Sequence, residues 1–146
     1  MMKDIFGTPR ITYRKVGGGF QLVNPAVFVV QIFPEKDIET EFIRLSTKGL
    51  LELSVGYWWG GPTGAKPTRD SLRGTAVHDA LYRLFRLGLL DLEWKPLVDE
   101  ILRRLCIQDG MDEGKAKAWE WFTNRFGFMF CKKPSDEDYD NIYVAP

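Results

Sequence analysis

The chain has 146 residues, 45% of them hydrophobic and 27% charged, which are values of a folded globular domain rather than a disordered segment. Twenty basic and twenty acidic side chains cancel, so no net charge points to nucleic acid, which is not expected as a partner. The opening residues 1–7 lack the apolar core of a signal peptide, and the longest apolar run, Ala26–Phe33, is too short to cross a bilayer.

One domain is expected, with a β-rich part over 1–55, a glycine-rich loop over 56–67, three helices over 68–130 and an acidic tail over 131–146. Ile11–Val16 alternates apolar and polar residues and is punctuated by Gly17-Gly18-Gly19. No helix follows those glycines, so they read as a turn and not as a phosphate cradle. Phe20–Val23 gives a second short strand and Asn24-Pro25 a turn. The continuous β-branched run Ala26–Phe33 predicts a buried central strand. Glu41–Leu45 and Leu50–Val55 continue the pattern, so the first third is expected to be an antiparallel meander.

Gly56–Pro67 contains too much glycine and proline for regular structure, yet it carries Tyr57, Trp58 and Trp59. The two tryptophans are expected to form a lipid-facing or partner-facing surface, while Trp94, Trp119 and Trp121 are assigned to packing.

Three helices follow. Leu72, Ala76, Ala80, Leu84 and Leu87 recur at helical spacing, with Thr68 or Asp70 available as a cap. Val98, Ile101, Leu102 and Leu105 mark the second helix, with Pro96 in its first turn. Asp112 is placed to cap the third, where Ala116, Trp119, Phe122 and Phe126 share a face before Gly127 stops it. Arg83, Arg86, Arg103 and Arg104 read as a solvated helix face. Cys106 and Cys131 lack metal-type spacing and read as buried free thiols. The fold class is therefore α+β, a β-meander followed by a helical hairpin and a third helix.

The only histidine in the chain sits in His78-Asp79-Ala80-Leu81-Tyr82. On a helix, His78 and Tyr82 share a face, and Asp79 points about 100° around. The short connection before the second helix makes a hairpin that puts Asp99 level with His78. A carboxylate there accepts the imidazole N–H and fixes its tautomer, as the third member of a triad does. Zinc is not expected, because one histidine and two distant cysteines do not make a usual zinc site.

Val77–Tyr82, Asp99, Asp109-Gly110-Met111 and Arg125-Phe126-Gly127, with the Gly60-Gly61-Pro62-Thr63-Gly64 loop, resemble a family of small phage and prophage proteins of unknown function. The spacing of the Tyr57–Pro62 loop, His78-Asp79, Tyr82 and Asp99 is similar to that of calcium-dependent phospholipases of the A-two type, secreted and parvoviral. That second resemblance implies His78 as the general base, Tyr82 and Asp99 as its orienting partners, and Asp79 with backbone carbonyls at Trp59, Gly60 and Gly61 as calcium ligands. Calcium takes 6–8 oxygen ligands, and glycine-rich backbone allows carbonyls to converge beside a carboxylate.

The two resemblances lead to a phage-type virion- or tail-associated structural protein whose phospholipase-like site is vestigial. The alternative is a calcium-dependent hydrolase at the cell envelope, and a third reading is an early phage factor that binds a host protein. Expected partners are other virion or tail proteins or a phospholipid surface. The expected location is the host cytoplasm, with incorporation into the virion.

Overall fold

The β half divides into two antiparallel sheets. The computed structural model describes residues 5–62 and 65–132. Strands β1 (Tyr13–Val16) and β2 (Gly19–Leu22) form a hairpin, and β2 pairs on its other side with β7 (Trp58–Trp59). The second sheet has the order β3-β6-β5-β4, from β3 (Ala26–Val29), β4 (Ile38–Glu39), β5 (Ile43–Leu45) and β6 (Leu50–Leu53). The single meander of the sequence reading is thus split.

Three local expectations change with it. Ala26–Val29 is an edge strand of its sheet, not a central one. Val27 and Val29 are each 40% exposed, while Ala26 and Phe28 point into the core. The strand ends before Gln31, which takes a positive φ of 58°. The glycine-rich loop contains regular structure after all, because Trp58 and Trp59 pair in register with Gln21 and Phe20. The expected tryptophan surface is also mostly absent. Trp59 is 1% exposed, and the half-buried Trp58 donates its indole N–H to the Val16 carbonyl at 2.8 Å.

Helices α1 (Leu72–Arg86), α2 (Lys95–Gln108) and α3 (Glu113–Phe126) follow a short 3-10 turn at Arg69–Ser71. Where a helix would start, Ser71 Oγ accepts the Thr68 N–H at 3.0 Å. Both hairpin turns are closed by the same device. At the end of α1 the Leu89 N–H reaches the Leu84 carbonyl and the Gly88 N–H reaches that of Phe85, with Gly88 at φ +72°. At the end of α2, Met111 bonds Cys106 and Gly110 bonds Ile107, with Gly110 at φ +104°. This satisfies the last carbonyls and needs a left-handed residue that glycine adopts without steric cost. Asp112 then caps α3 by accepting the Lys115 N–H at 3.0 Å.

The α1–α2 pair packs closely because Gly74 has no side chain. A Cβ there would lie 2.8 Å from Cys106 Sγ and 3.3 Å from the Leu102 carbonyl. One hydrophobic core runs from both sheets, through Phe28, Leu51, Tyr57 and Trp59, to Leu81, Leu84 and Ile101 of the helices. A smaller cluster of Leu102, Cys106, Met111 and Ala116 joins α2 to α3. Cys106 and Cys131 are free and buried, and burial pushes their thiols up to about 12 and about 11. Among the described residues, no helix is long and apolar enough to cross a membrane. Most of the acidic tail lies outside the described residues.

Candidate functional site

Three bonds pin the segment 57–59 to buried groups of α1. The Tyr57 hydroxyl donates to the Ala76 carbonyl at 2.9 Å, the Trp59 indole to Thr75 Oγ1 at 3.2 Å, and Arg83 Nη2 to the Trp58 carbonyl at 3.0 Å. Tyr57 and Trp59 stack with centroids 5.8 Å apart, and the Arg83 guanidinium lies over the Tyr57 ring. His78 and Asp79 lie between these attachment points in sequence. The glycines that follow β7 are therefore delivered to them by a fixed strand, not by a free loop.

The hairpin brings together the residues that the sequence placed on one face. His78 Nε2 is 2.8 Å from Asp99 Oδ1, and the Tyr82 hydroxyl donates to the same oxygen at 2.6 Å. A carboxylate is an acceptor, so Nε2 carries the hydrogen and the neutral ring keeps its lone pair on Nδ1. That atom is 3.9 Å from Asp79 Oδ1, beyond hydrogen-bonding distance. Asp99 is completely buried, and His78 is only 6% exposed.

The site also contains a residue that the sequence reading missed. Lys95 Nζ donates to Asp99 Oδ2 at 2.7 Å and to the Thr123 carbonyl at 2.8 Å. The i,i+4 spacing of Lys95 and Asp99 was available as a signal, but the contact with α3 was not. Burial alone raises the pKa of Asp99. The hydrogen bond and charge of His78, with the bonds from Lys95 and Tyr82, outweigh that and hold it below its usual value of 3.8. For His78, burial pulls the pKa down, but the carboxylates of Asp79 and Asp99 outweigh burial and leave it above 6.5. Burial, and then the bond to Asp99, push the Tyr82 phenol well above its usual range.

A cavity of about 700 Å³ opens beside this network. Asp79, Gly60 and Gly61 line it together with His78 and Tyr82, while Trp119, Phe122 and Thr123 of α3 form the facing wall. The sequence reading assigned α3 no part in the site. Arg83 and Arg86 line the cavity too, and Arg83, 4% exposed, is not part of the solvated face expected of it. The Trp59 carbonyl lies against β2, 2.6 Å from where a Gly19 Cβ would stand. Trp59 nevertheless lines the cavity, together with Gly60, Gly61 and Asp79. Phe122 and Phe130, at the cavity's edge, are 45% and 47% exposed and continue into Trp121, Phe126, Phe128 and Met129.

Gly127, also at the cavity, allows α3 to end against Tyr82, because a Cβ there would overlap the Tyr82 hydroxyl. Gly127→Ala is therefore expected to lower stability by about 1–3 kcal/mol. It should also displace the Tyr82–Asp99 hydrogen bond. Urea unfolding and the tyrosine hydroxyl resonance together check this; an unshifted resonance would mean that the ring has not moved.

No family model, curated protein or solved structure matches the chain.

Proposed function

We propose that the chain is a hydrolase of carboxylic esters in which His78 acts as general base on water, as in the calcium-dependent phospholipases that its motif resembles. The observation that carries this reading is the one-sided use of the imidazole. Asp99 holds Nε2 at 2.8 Å, and Nδ1 is left as a proton acceptor in a residue that lines a substrate-sized cavity.

In this reading, water in the cavity gives a proton to His78 Nδ1 as its oxygen bonds to the ester carbonyl carbon. The tetrahedral oxyanion then re-forms the carbonyl and expels the alcohol oxygen, which takes the proton back from Nδ1. Asp99 fixes the tautomer and supports the transient imidazolium, as in other base–carboxylate pairs. The wall from Trp119 and Phe122 provides an apolar surface for an acyl chain. Asp79 and the carbonyls of Gly60 and Gly61 would hold calcium, which when bound polarises the ester carbonyl and stabilises the oxyanion. What supports this is the presence of one partly exposed carboxylate and glycine backbone on the same cavity, the kind of oxygen donors a hard cation takes.

Fatty-acid release from mixed phospholipid vesicles, with calcium and with a chelator, tests the activity. No release under either condition would end the hydrolase reading. The metal is tested separately. At a hundredfold excess over its dissociation constant, calcium should stabilise the wild type by about 2.7 kcal/mol, and Asp79→Asn should lose that gain while keeping its calcium-free melting temperature. Equal destabilisation with and without calcium would instead make Asp79 a structural hydrogen-bond partner.

A second reading is favoured by the exposed apolar strip from Trp121 to Phe130. Such a strip marks a contact surface, which suits a phage-type virion or tail component docked on a neighbouring protein, with the His78 network kept as a scaffold.

A further inference from the structure

Lys95 occupies a position that a hairpin of two helices does not by itself require. Its ammonium is 2.7 Å from Asp99 Oδ2, 2.8 Å from the Thr123 carbonyl and 3.5 Å from that of Asn124, and its side chain is 11% exposed. The two carbonyls belong to the last turn of α3, where the helix dipole is negative, and that of Thr123 accepts the Lys95 ammonium in addition to the Gly127 N–H. Lys95 thus lies between a buried carboxylate on its own helix and the negative end of another. Long lysine side chains usually cost entropy to immobilise, and here three acceptors on two elements fix the ammonium.

The consequence falls on Asp99. Its Oδ1 serves His78 and Tyr82, and its Oδ2 serves Lys95, so the two oxygens are not interchangeable. Rotation of the carboxylate about its Cβ–Cγ bond would break all three bonds together. The carboxylate also keeps a cationic partner that is independent of the proton His78 gains and loses in the proposed cycle.

We propose that Lys95, anchored on the carbonyl end of α3, is a positioning residue that sets the orientation of His78 through Asp99. This rests on the general-base reading for its catalytic meaning, but the geometry can be tested without it. Because the chain has one histidine, its imidazole proton and nitrogen resonances belong to His78 without further assignment.

The experiment compares full-length wild type, Lys95→Met and Lys95→Arg by histidine-selective NMR in the presence of a chelator. Fatty-acid release with calcium is measured in parallel. The wild type should show a downfield, slowly exchanging Nε2–H resonance, the signature of its bond to Asp99. Lys95→Arg, which keeps the cation and the donors, should retain that resonance. Lys95→Met, which keeps the aliphatic stem, should shift or broaden it and lower kcat about 10²-fold, the cost of a misplaced catalytic group.

A folded Lys95→Met with the resonance in its wild-type place would overturn the proposal and make Lys95 only a tie between helices, whatever its effect on stability. Should Lys95→Met fail to fold, the same resonance in Lys95→Gln decides in the same two directions. Wild type that shows the Nε2–H signal but releases no fatty acid defeats the hydrolase reading alone, and the NMR comparison still decides on Lys95.

Discussion

Replacing Asp99 with alanine is expected to lower stability by about 3–5 kcal/mol, the range seen when one partner of a buried ion pair is removed. The loss has three identifiable sources. Lys95 is left with a buried charge and only carbonyls to meet it, and the Tyr82 hydroxyl and the His78 Nε2–H lose their acceptor. For a domain of this size, that corresponds to a fall in melting temperature of roughly 6–20 °C, at about 2–4 °C per kcal/mol. Calorimetry at neutral pH measures it, and a change of less than about 1 kcal/mol would show that the network is not a structural element.

The same substitution should flatten part of the acid limb. Asp99 has a lower pKa in the folded chain than its usual 3.8, so its contribution is complete above that value and is lost as pH falls through the folded-state pKa. The difference between wild type and Asp99→Ala should therefore shrink below about pH 4, and shrink again as pH rises past 6.5 through the raised pKa of His78, which Asp99 helps to hold up. A difference that stayed constant into strong acid would mean that the carboxylate's charge contributes nothing.

How much of this could be read from the sequence depends on what kind of interaction placed each residue. The His78–Asp99 pair was legible because both helices carry clear 3.6-residue patterns and the connection between them is short. Antiparallel geometry then fixes which residues are level. The capping role of Asp112 was legible for a local reason of the same kind, a side chain serving a backbone N–H three residues on.

The cavity wall was not legible. Of the residues of α3, Ala116 alone is fully buried, and its apolar face is half open at Phe122 and Phe126. Periodicity identified the face but not what stood opposite it. Ala26–Phe33 failed for another reason. A run of apolar residues shows that a strand is favourable, but not how many neighbours it has, and here β3 ends the sheet order, with residues 6–8 bonded along its outer edge and the Val27 and Val29 side chains on the solvent face. Trp58 and Trp59 were hidden by the surrounding glycines, because a two-residue strand that pairs with β2 leaves no periodic trace.

The second large effect concerns His78→Gln, which separates catalyst from scaffold. Glutamine still offers an N–H to Asp99 in place of the His78 Nε2–H. It provides no basic nitrogen where Nδ1 stands. If His78 is a general base, the variant should stay within about 1 kcal/mol of wild type, the worth of an ordinary hydrogen bond, while fatty-acid release falls about 10²–10⁴-fold.

A scaffold histidine behaves in the opposite way. Its ring packs against Tyr82 with centroids 4.1 Å apart, so its loss should cost stability, and there is no rate to lose. Assay of both proteins on mixed phospholipid vesicles with calcium, beside thermal unfolding of each, reads the two quantities independently. Two forms of the site explain why both must be read. The Asp99 network satisfies every requirement of a buried structural tie, since each donor has an acceptor. It also leaves one ring nitrogen of a cavity-lining residue without a short hydrogen bond, which a structural tie has no need to do. Release that is calcium-dependent in wild type and lost in a stable His78→Gln establishes the base. A destabilised variant beside an inactive wild type establishes the scaffold.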